Sequence, residues 1–174
     1  MVLLLSKRLK LDPDVCYFLA LFEYSYSKTI REPIIGIESN NATTIENFIA
    51  FAVSKFKIEP NKIIIEGNEN KNDGKSKERV FFYNSKLKKL MLKELERKEK
   101  IFKYKNDYSS NYLKGIYDSC GAQNKKGMFI NGLKADDAAI MERLGFHTND
   151  IADKSYIINK NEFLKFIKYK NMQK

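Results

Sequence analysis

A short helical segment with one glycine on its apolar face constrains this chain more than any other part of its sequence. Residues 112–122 read Tyr-Leu-Lys-Gly-Ile-Tyr-Asp-Ser-Cys-Gly-Ala, a pattern that predicts an amphipathic helix. A glycine inside a helix costs about 1 kcal/mol relative to alanine, so it usually has a packing reason. We therefore expect the backbone of a second helix to approach Gly115. We also expect Gly121 to end the helix with a positive φ.

The length and charge of the chain limit the classes of protein to which it can belong. A chain of 174 residues buries roughly 70% of the surface that its unfolded form exposes, which is enough for one domain or two small halves. It carries 32 Lys and Arg against 22 Asp and Glu, for a net charge of +10. Nucleic acid is the first partner that such a surplus indicates. A lysine-rich solvated surface, as in heat-adapted proteins, is the alternative explanation.

The cysteines and the N-terminal residues predict the cellular compartment of the protein. Cys16 and Cys120 are too few, and too widely spaced, for a zinc site or a disulfide framework. The apolar run Met1–Leu5 is too short for a signal peptide or a transmembrane helix. We therefore expect a cytoplasmic protein without membrane association.

Apolar periodicity predicts an α+β fold built from two similar halves, residues 1–105 and 106–174. Each half is predicted to have the order αββαββα. In the first half we expect helices at 13–24, 41–57 and 85–104, and strands at 33–38, 62–66 and 79–83, with a further short strand at 26–29. In the second half we expect a polar linker at 106–110, helices at 112–119, 136–144 and 161–169, and strands at 122–124, 127–131, 147–151 and 155–158.

The segment Tyr112–Ala122 resembles the LAGLIDADG motif of homing endonucleases. Aligning Phe18–Ser25 on Leu113–Cys120 places Ala20 at the position of Gly115, and Glu23 at that of Asp118. The resemblance implies that Ala20 and Gly115 form the interface of two central helices. It also implies two four-stranded antiparallel sheets that form a pseudo-symmetric saddle over DNA.

The catalytic positions of the family hold uncharged residues in this chain. The family's metal-binding acid lies five residues after the closely packed small residue, which is Ser25 in the first half and Cys120 in the second. A hard cation such as Mg²⁺ requires oxygen ligands, most of them charged, and a thiol is too soft for it. The resemblance thus implies a DNA-binding protein with no catalytic residue, metal or other cofactor. Glu23 and Asp118 leave open an active Mg²⁺-dependent endonuclease as the alternative.

Basic side chains on the predicted hairpins are the candidates for nucleic-acid contact. The candidates are Lys71, Lys75, Lys77, Arg79, Lys125, Lys126 and Lys154. Glu38 and Glu66 count against a continuous DNA face, because strand carboxylates repel phosphate. We expect a monomer with internal pseudo-twofold symmetry that binds double-stranded DNA. An RNA-binding protein, similar to the related maturases, and a protein-binding scaffold are the alternatives.

Overall fold

The computed structural model describes residues 8–69 and 76–168, which form seven α-helices and two antiparallel sheets. The helices are α1 (Pro13–Glu23), α2 (Ala42–Phe56), α3 (Ser85–Leu95), α4 (Lys98–Ile101), α5 (Asp107–Cys120), α6 (Ala135–Arg143) and α7 (Lys160–Phe166). The strands are β1 (Ile34–Ser39), β2 (Ile64–Glu69), β3 (Ser76–Tyr83), β4 (Gly121–Asn124), β5 (Gly127–Asn131), β6 (Thr148–Ile151) and β7 (Lys154–Ile157). The predicted α+β class is confirmed.

Helices α1 and α5 pack against each other at the centre of the molecule. Each begins at a side-chain cap: Asp12 accepts a hydrogen bond from the Val15 N–H at 2.8 Å, and Asn106 accepts one from the Ser109 N–H at 3.0 Å. These caps satisfy backbone donors that a helix N-terminus leaves unpaired. Helix α1 is buried throughout its last nine residues, 15–23, because α5, α2, α3 and β1 surround it.

The first sheet has the strand order β1-β3-β2, and the second has the order β4-β5-β7-β6. Ile35, Ile37, Val80 and Phe82 of the first sheet point into the hydrophobic core. Met128, Ile130 and Ile157 of the second sheet do the same. Because side chains alternate along a strand, the intervening residues form an outer face on each sheet, turned away from the helices.

The first sheet has three strands among the described residues, so the prediction of four strands in both halves holds only for the second sheet. Residues Tyr26–Lys28 form one turn of 3-10 helix rather than the short strand expected at 26–29. The buried Ser27 hydroxyl donates to the Gly36 carbonyl oxygen at 2.9 Å and accepts from the Gly36 N–H at 2.9 Å. One side chain thus bonds backbone groups of β1 in place of a neighbouring strand.

Three local predictions near the middle of the chain were wrong. Helix α5 begins at Asp107, so the predicted linker at 106–110 is mostly helix, because Asn106 caps it. The single helix expected over 85–104 is broken into α3 and α4. Gly121 has φ −75° rather than a positive φ. Glycine is required there for another reason: a Cβ would lie 2.1 Å from the Tyr117 ring. The division at residues 105 and 106 stays a prediction.

Candidate nucleic-acid interface

The close contact of α1 and α5 places the C-terminal ends of the two helices beside each other. A Cβ at Gly115 would lie 2.6 Å from the Tyr17 carbonyl oxygen and 2.7 Å from the Ala20 Cβ. The structure therefore brings Ala20 and Gly115 together at the point of closest approach. Residues from both helix ends and from β1 line a small cleft; they include Tyr24, Ser25, Glu38, Ser39 and Ser119.

Neither Ser25 nor Cys120 supplies a negative charge at the helix ends. The Ser25 hydroxyl donates to the Phe22 carbonyl oxygen at 2.8 Å and lies 2.8 Å from the Ser27 hydroxyl. The Cys120 thiol donates to the Ile116 carbonyl oxygen at 3.2 Å. Burial, together with the charge of Asp137, raises the pKa of this thiol to about 12. Both groups are therefore neutral at pH 7, and hydrogen bonds within their own segments hold them.

Glu23, the first of the two remaining acids, is buried among three lysines. Its Oε1 lies 2.8 Å from the Lys134 ammonium and 3.4 Å from that of Lys98, and its Oε2 is paired with Lys28. Burial raises the pKa of the Glu23 carboxyl, but the hydrogen bonds from Lys134 and Lys28 and the charge of Lys98 outweigh that effect and lower the pKa overall. Glu23 is thus an ionised carboxylate that ammonium groups of the chain already neutralise.

The lysines at Glu23 connect α1 to the start of α6. Lys98, which is 3% exposed, lies 2.8 Å from Asp136 and 2.9 Å from Asp137. Asp137 also accepts hydrogen bonds from the hydroxyls of Tyr24, at 2.7 Å, and Tyr112, at 3.0 Å. Burial raises the pKa of Asp137 despite the opposing charge of Lys98.

We call Glu23, Lys28, Lys98, Lys134, Asp136 and Asp137 the ionic cluster. It contains three acidic and three basic side chains, so it is neutral overall. The ammonium of Lys134 also donates to the Glu23 carbonyl oxygen at 2.6 Å and lies 4.8 Å from the centre of the Tyr24 ring. The cluster therefore ties the end of α1 to α4 and α6.

Asp118, the second remaining acid, has different partners on another side of the helix pair. Its Oδ2 accepts a hydrogen bond from the Tyr17 hydroxyl at 2.8 Å and lies 2.6 Å from the Lys114 ammonium. Tyr17 precedes Glu23 by six residues on α1, or roughly 9 Å along the helix axis. The structure therefore does not bring Glu23 and Asp118 to common partners.

The outer face of the first sheet carries paired charges. Arg79 and Lys77 both lie on the central strand β3. The Arg79 Nε–H donates to Glu38 at 2.8 Å, and Lys77 lies 3.8 Å from the same carboxylate. The Arg79 guanidinium stacks over Tyr26 at 5.0 Å, and Glu66 lies opposite it on β2. Glu38 is therefore paired with two basic side chains, so its negative charge is compensated on this face.

The outer face of the second sheet has basic and aromatic groups. Lys125 and Lys126 form the exposed turn between β4 and β5. Lys154 begins β7, and its ammonium lies 5.1 Å from the centre of the Phe129 ring. Phe129 and Tyr156 are cross-strand neighbours with ring centres 5.3 Å apart. The three basic residues predicted in this half therefore lie at one turn and on one sheet face.

The lysines that surround Glu23 were not predicted from the sequence, and two of the predicted nucleic-acid contacts fall outside the described residues. Lys71 and Lys75 lie outside the described residues. Lys98 lies within the helix predicted at 85–104 and was not a predicted site residue, and Lys134 had no predicted role, yet both contact Glu23. The spacing of Lys98 within a charged helix gave no signal of burial, because the break after α3 turns it inward.

Crystal structures of I-DmoI, a LAGLIDADG homing endonuclease, have the same arrangement of helices and sheets. A variant bound to its target DNA in the presence of magnesium is 19% identical to this chain, with a TM-score of 0.60 over 91% of this chain and 97% of that chain. The chain shares the fold of I-DmoI. A second variant, bound to target DNA with manganese, is 21% identical, with a TM-score of 0.57 over 90% of this chain and 92% of that one. I-DmoI in complex with DNA and calcium is 20% identical, with a TM-score of 0.57 over 88% and 86% of the two chains.

Comparisons of the sequence with protein families and with curated proteins give no significant match. Across residues 8–69 and 76–168, no helix is long and apolar enough to cross a membrane. In the same part of the chain, no three His, Cys, Asp or Glu side chains are grouped so that they could hold a metal ion.

Proposed function

We propose that this protein binds double-stranded DNA through the outer faces of its two sheets and does not cleave it. The observation that carries the proposal is the fold shared with I-DmoI, whose structures contain bound DNA, over nearly the whole chain. The net charge of +10 supports the same partner. A two-stranded ribbon of a sheet fits the major groove of DNA, where base edges can be read.

The chemistry of the helix ends supports binding without cleavage. Metal-assisted hydrolysis of a phosphodiester requires anionic oxygen ligands that hold a divalent cation at the phosphate. The positions expected for those ligands are Ser25 and Cys120, and both side chains are neutral. Glu23 and Asp118 are carboxylates, but ammonium groups of the chain already pair with them.

The proposed DNA contacts divide between the two sheets. Lys77 and Arg79 of the first sheet, with Lys125, Lys126 and Lys154 of the second, would contact phosphates or base edges. Arg79 is oriented by Glu38, and an arginine held in one direction loses less conformational freedom on binding. We also propose Lys71 and Lys75 as DNA contacts, although both lie outside the described residues.

Titration of labelled duplex DNA and of folded RNA at several salt concentrations tests the proposal. We expect tighter binding to the duplex, weakening linearly with the logarithm of salt concentration. Tighter binding to RNA would indicate RNA as the partner in place of DNA. Binding to neither nucleic acid would favour the alternative of a protein-binding scaffold. Incubation of the bound duplex with Mg²⁺ or Mn²⁺ should leave it intact, and its cleavage would contradict the second half of the proposal.

Restoring acids at the helix ends tests the alignment on which this proposal rests. The double variant Ser25→Asp, Cys120→Asp should gain binding of Mn²⁺, measured by calorimetry, because two carboxylates would then meet at adjacent helix ends. The matched control is Ser25→Asn with Cys120→Asn, which has nearly the same shape and no charge. Equal Mn²⁺ binding by the two double variants, or none by either, would count against the alignment.

A further inference from the structure

Arg79 lies on the central strand of the first sheet, and two contacts hold its guanidinium on the outer face. The Nε–H donates to the Glu38 carboxylate on β1 at 2.8 Å. The guanidinium also lies 5.0 Å from the centre of the Tyr26 ring. The Arg79 side chain is nevertheless 40% exposed, so a ligand that approaches this face can reach it. Arg79 is therefore both held in place and accessible.

The bond to Glu38 leaves the fork of the Arg79 guanidinium available. A guanidinium has five N–H donors in one plane, and the bond from Nε uses one of them. Within residues 8–69 and 76–168, the N–H groups of Nη1 and Nη2 donate to no acceptor. Two parallel donors of this kind match the N7 and O6 acceptors at the major-groove edge of guanine, which is the commonest specific contact between a protein and a base.

The charges around Arg79 favour a base over a phosphate as its partner. Glu38 on β1 and Glu66 on β2 are its direct cross-strand neighbours, so this row holds two negative charges and one positive charge. Both carboxylates would repel a phosphate placed at Arg79. A base edge carries no net charge, and a carboxylate can accept a hydrogen bond from the N4 amino group of cytosine. The acids that oppose a phosphate contact here are therefore compatible with a G·C pair.

We propose that Arg79 recognises a guanine in the major groove of bound DNA through Nη1 and Nη2, and that Glu38 is a positioning residue that fixes the direction of the guanidinium. The inference rests on the proposed function, because it specifies what one residue of the DNA-binding face reads. Among the strands that the structure describes, β3 alone contains an arginine. The guanine contact therefore belongs to one half of the target and has no counterpart at the second sheet.

Selection from a pool of random-sequence duplexes tests which base Arg79 reads. The full chain should enrich duplexes with guanine at one position. Arg79→Gln should enrich adenine there instead, because a glutamine amide matches N6 and N7 of adenine, and the other enriched positions should not change. A new preference for adenine cannot result from misfolding. Arg79→Ala should bind the guanine duplex about 5- to 150-fold more weakly than the parent, and should match the parent on a duplex that lacks this guanine.

Glu38→Ala separates the positioning of the guanidinium from the contact itself. Duplexes without the guanine should bind more tightly, because a negative charge leaves the face, while the preference for guanine should fall and no other base should replace it. The control for a phosphate contact is Lys125→Ala at the turn of the second sheet. It should weaken binding to all duplexes equally and lower the slope of log affinity against log salt concentration by about 0.9. Arg79→Ala should leave that slope unchanged.

The outcomes separate a failure of this inference from a failure of the proposed function. If Arg79→Ala weakened binding to every duplex equally and lowered the salt slope, Arg79 would be a phosphate contact, and DNA binding would stand without the guanine contact. The same base preference in Arg79→Gln as in the parent would also overturn the inference, as would a parent that binds duplexes without sequence preference. An unchanged preference in Glu38→Ala would overturn the role of Glu38. A parent that binds no duplex would overturn the inference and the proposed function together.

Discussion

At the scale of the residue, Gly115 determines how closely the central helices approach. Gly115→Ala would gain about 1 kcal/mol of helix propensity, but its Cβ would lie 2.6 Å from the Tyr17 carbonyl oxygen, a backbone atom. We expect overpacking to dominate and to lower the free energy of unfolding by about 1–3 kcal/mol, as measured by urea unfolding. The control is Gly67→Ala, where a Cβ would meet nothing within 4 Å. A Gly115→Ala variant as stable as this control would show that α1 and α5 can move apart freely.

Gly115 and the lysines Lys98 and Lys134 differ in how far the sequence could identify them. Gly115 was identifiable because a glycine inside a helix is intrinsically unfavourable, so its presence indicates a contact without naming the partner. Lys98 and Lys134 gave no such signal, since lysines are ordinarily exposed and a buried one depends on carboxylates distant in the sequence. The acid at Asp137 lies 39 positions after Lys98, and only the folded chain brings the two together.

At the scale of the element, the 3-10 turn at Tyr26–Lys28 replaces the fourth strand of the first sheet. Ser27→Ala would leave the Gly36 N–H and carbonyl without the partner that bonds both of them. An unsatisfied buried polar group costs about 1–3 kcal/mol, and we expect destabilisation in that range by thermal or urea unfolding. Thr29→Ala is the control, because the Thr29 hydroxyl makes an exposed bond to Tyr26. Equal stability of the two variants would contradict the role given to Ser27.

The sequence of this turn could not have revealed that it replaces a strand. The turn lies beside β1 because the Ser27 side chain bonds the backbone of Gly36. The loop after the turn is held by Lys88, whose ammonium donates to the carbonyl oxygens of Ile30 at 2.8 Å and Glu32 at 3.0 Å. These partners are distant in the chain. All four strands of the second sheet were predicted, because they form two hairpins, β4-β5 and β6-β7, with short turns, and local patterns were sufficient to identify them.

Helix α4 provides the second test at this scale, because its first residue belongs to the ionic cluster. Lys98→Met would leave Asp136 and Asp137 without their ammonium and would remove one cation from Glu23. Removing one member of a buried ion pair costs about 3–5 kcal/mol, and we expect a loss of that size in urea unfolding. Lys100→Met, at an exposed position of α4, should change the stability by less than about 0.5 kcal/mol. Similar effects of the two variants would show that the cluster contributes little.

At the scale of the whole molecule, buried neutral groups make the fold sensitive to alkali. Burial raises the pKa of Cys16 and of Cys120 to about 12, from an ordinary value of 9.0. Their contribution to stability is complete below pH 9 and is lost as the pH rises towards 12, because only the unfolded chain releases the protons. We expect the melting temperature to fall as the pH is raised above 9. Cys120→Ala should make that fall shallower, and an unchanged slope would show that the thiol ionises over the same pH range in the folded and unfolded states.

The salt dependence of binding distinguishes a DNA-contacting face from the attraction of the whole charged molecule. Each phosphate contact contributes about 0.9 to the slope of log affinity against log salt concentration, so losing two contacts should lower the slope by about 1.8. We expect this change for the double variant Lys125→Ala, Lys126→Ala, at the turn of the second sheet. The control is Lys89→Ala with Lys93→Ala on α3, which removes the same charge from exposed positions of a helix that packs against α1 and β1. Its slope should be unchanged in titrations with the same duplex. If both variants lowered the slope equally, the surplus of ten positive charges, and not the outer face of the second sheet, would account for the binding.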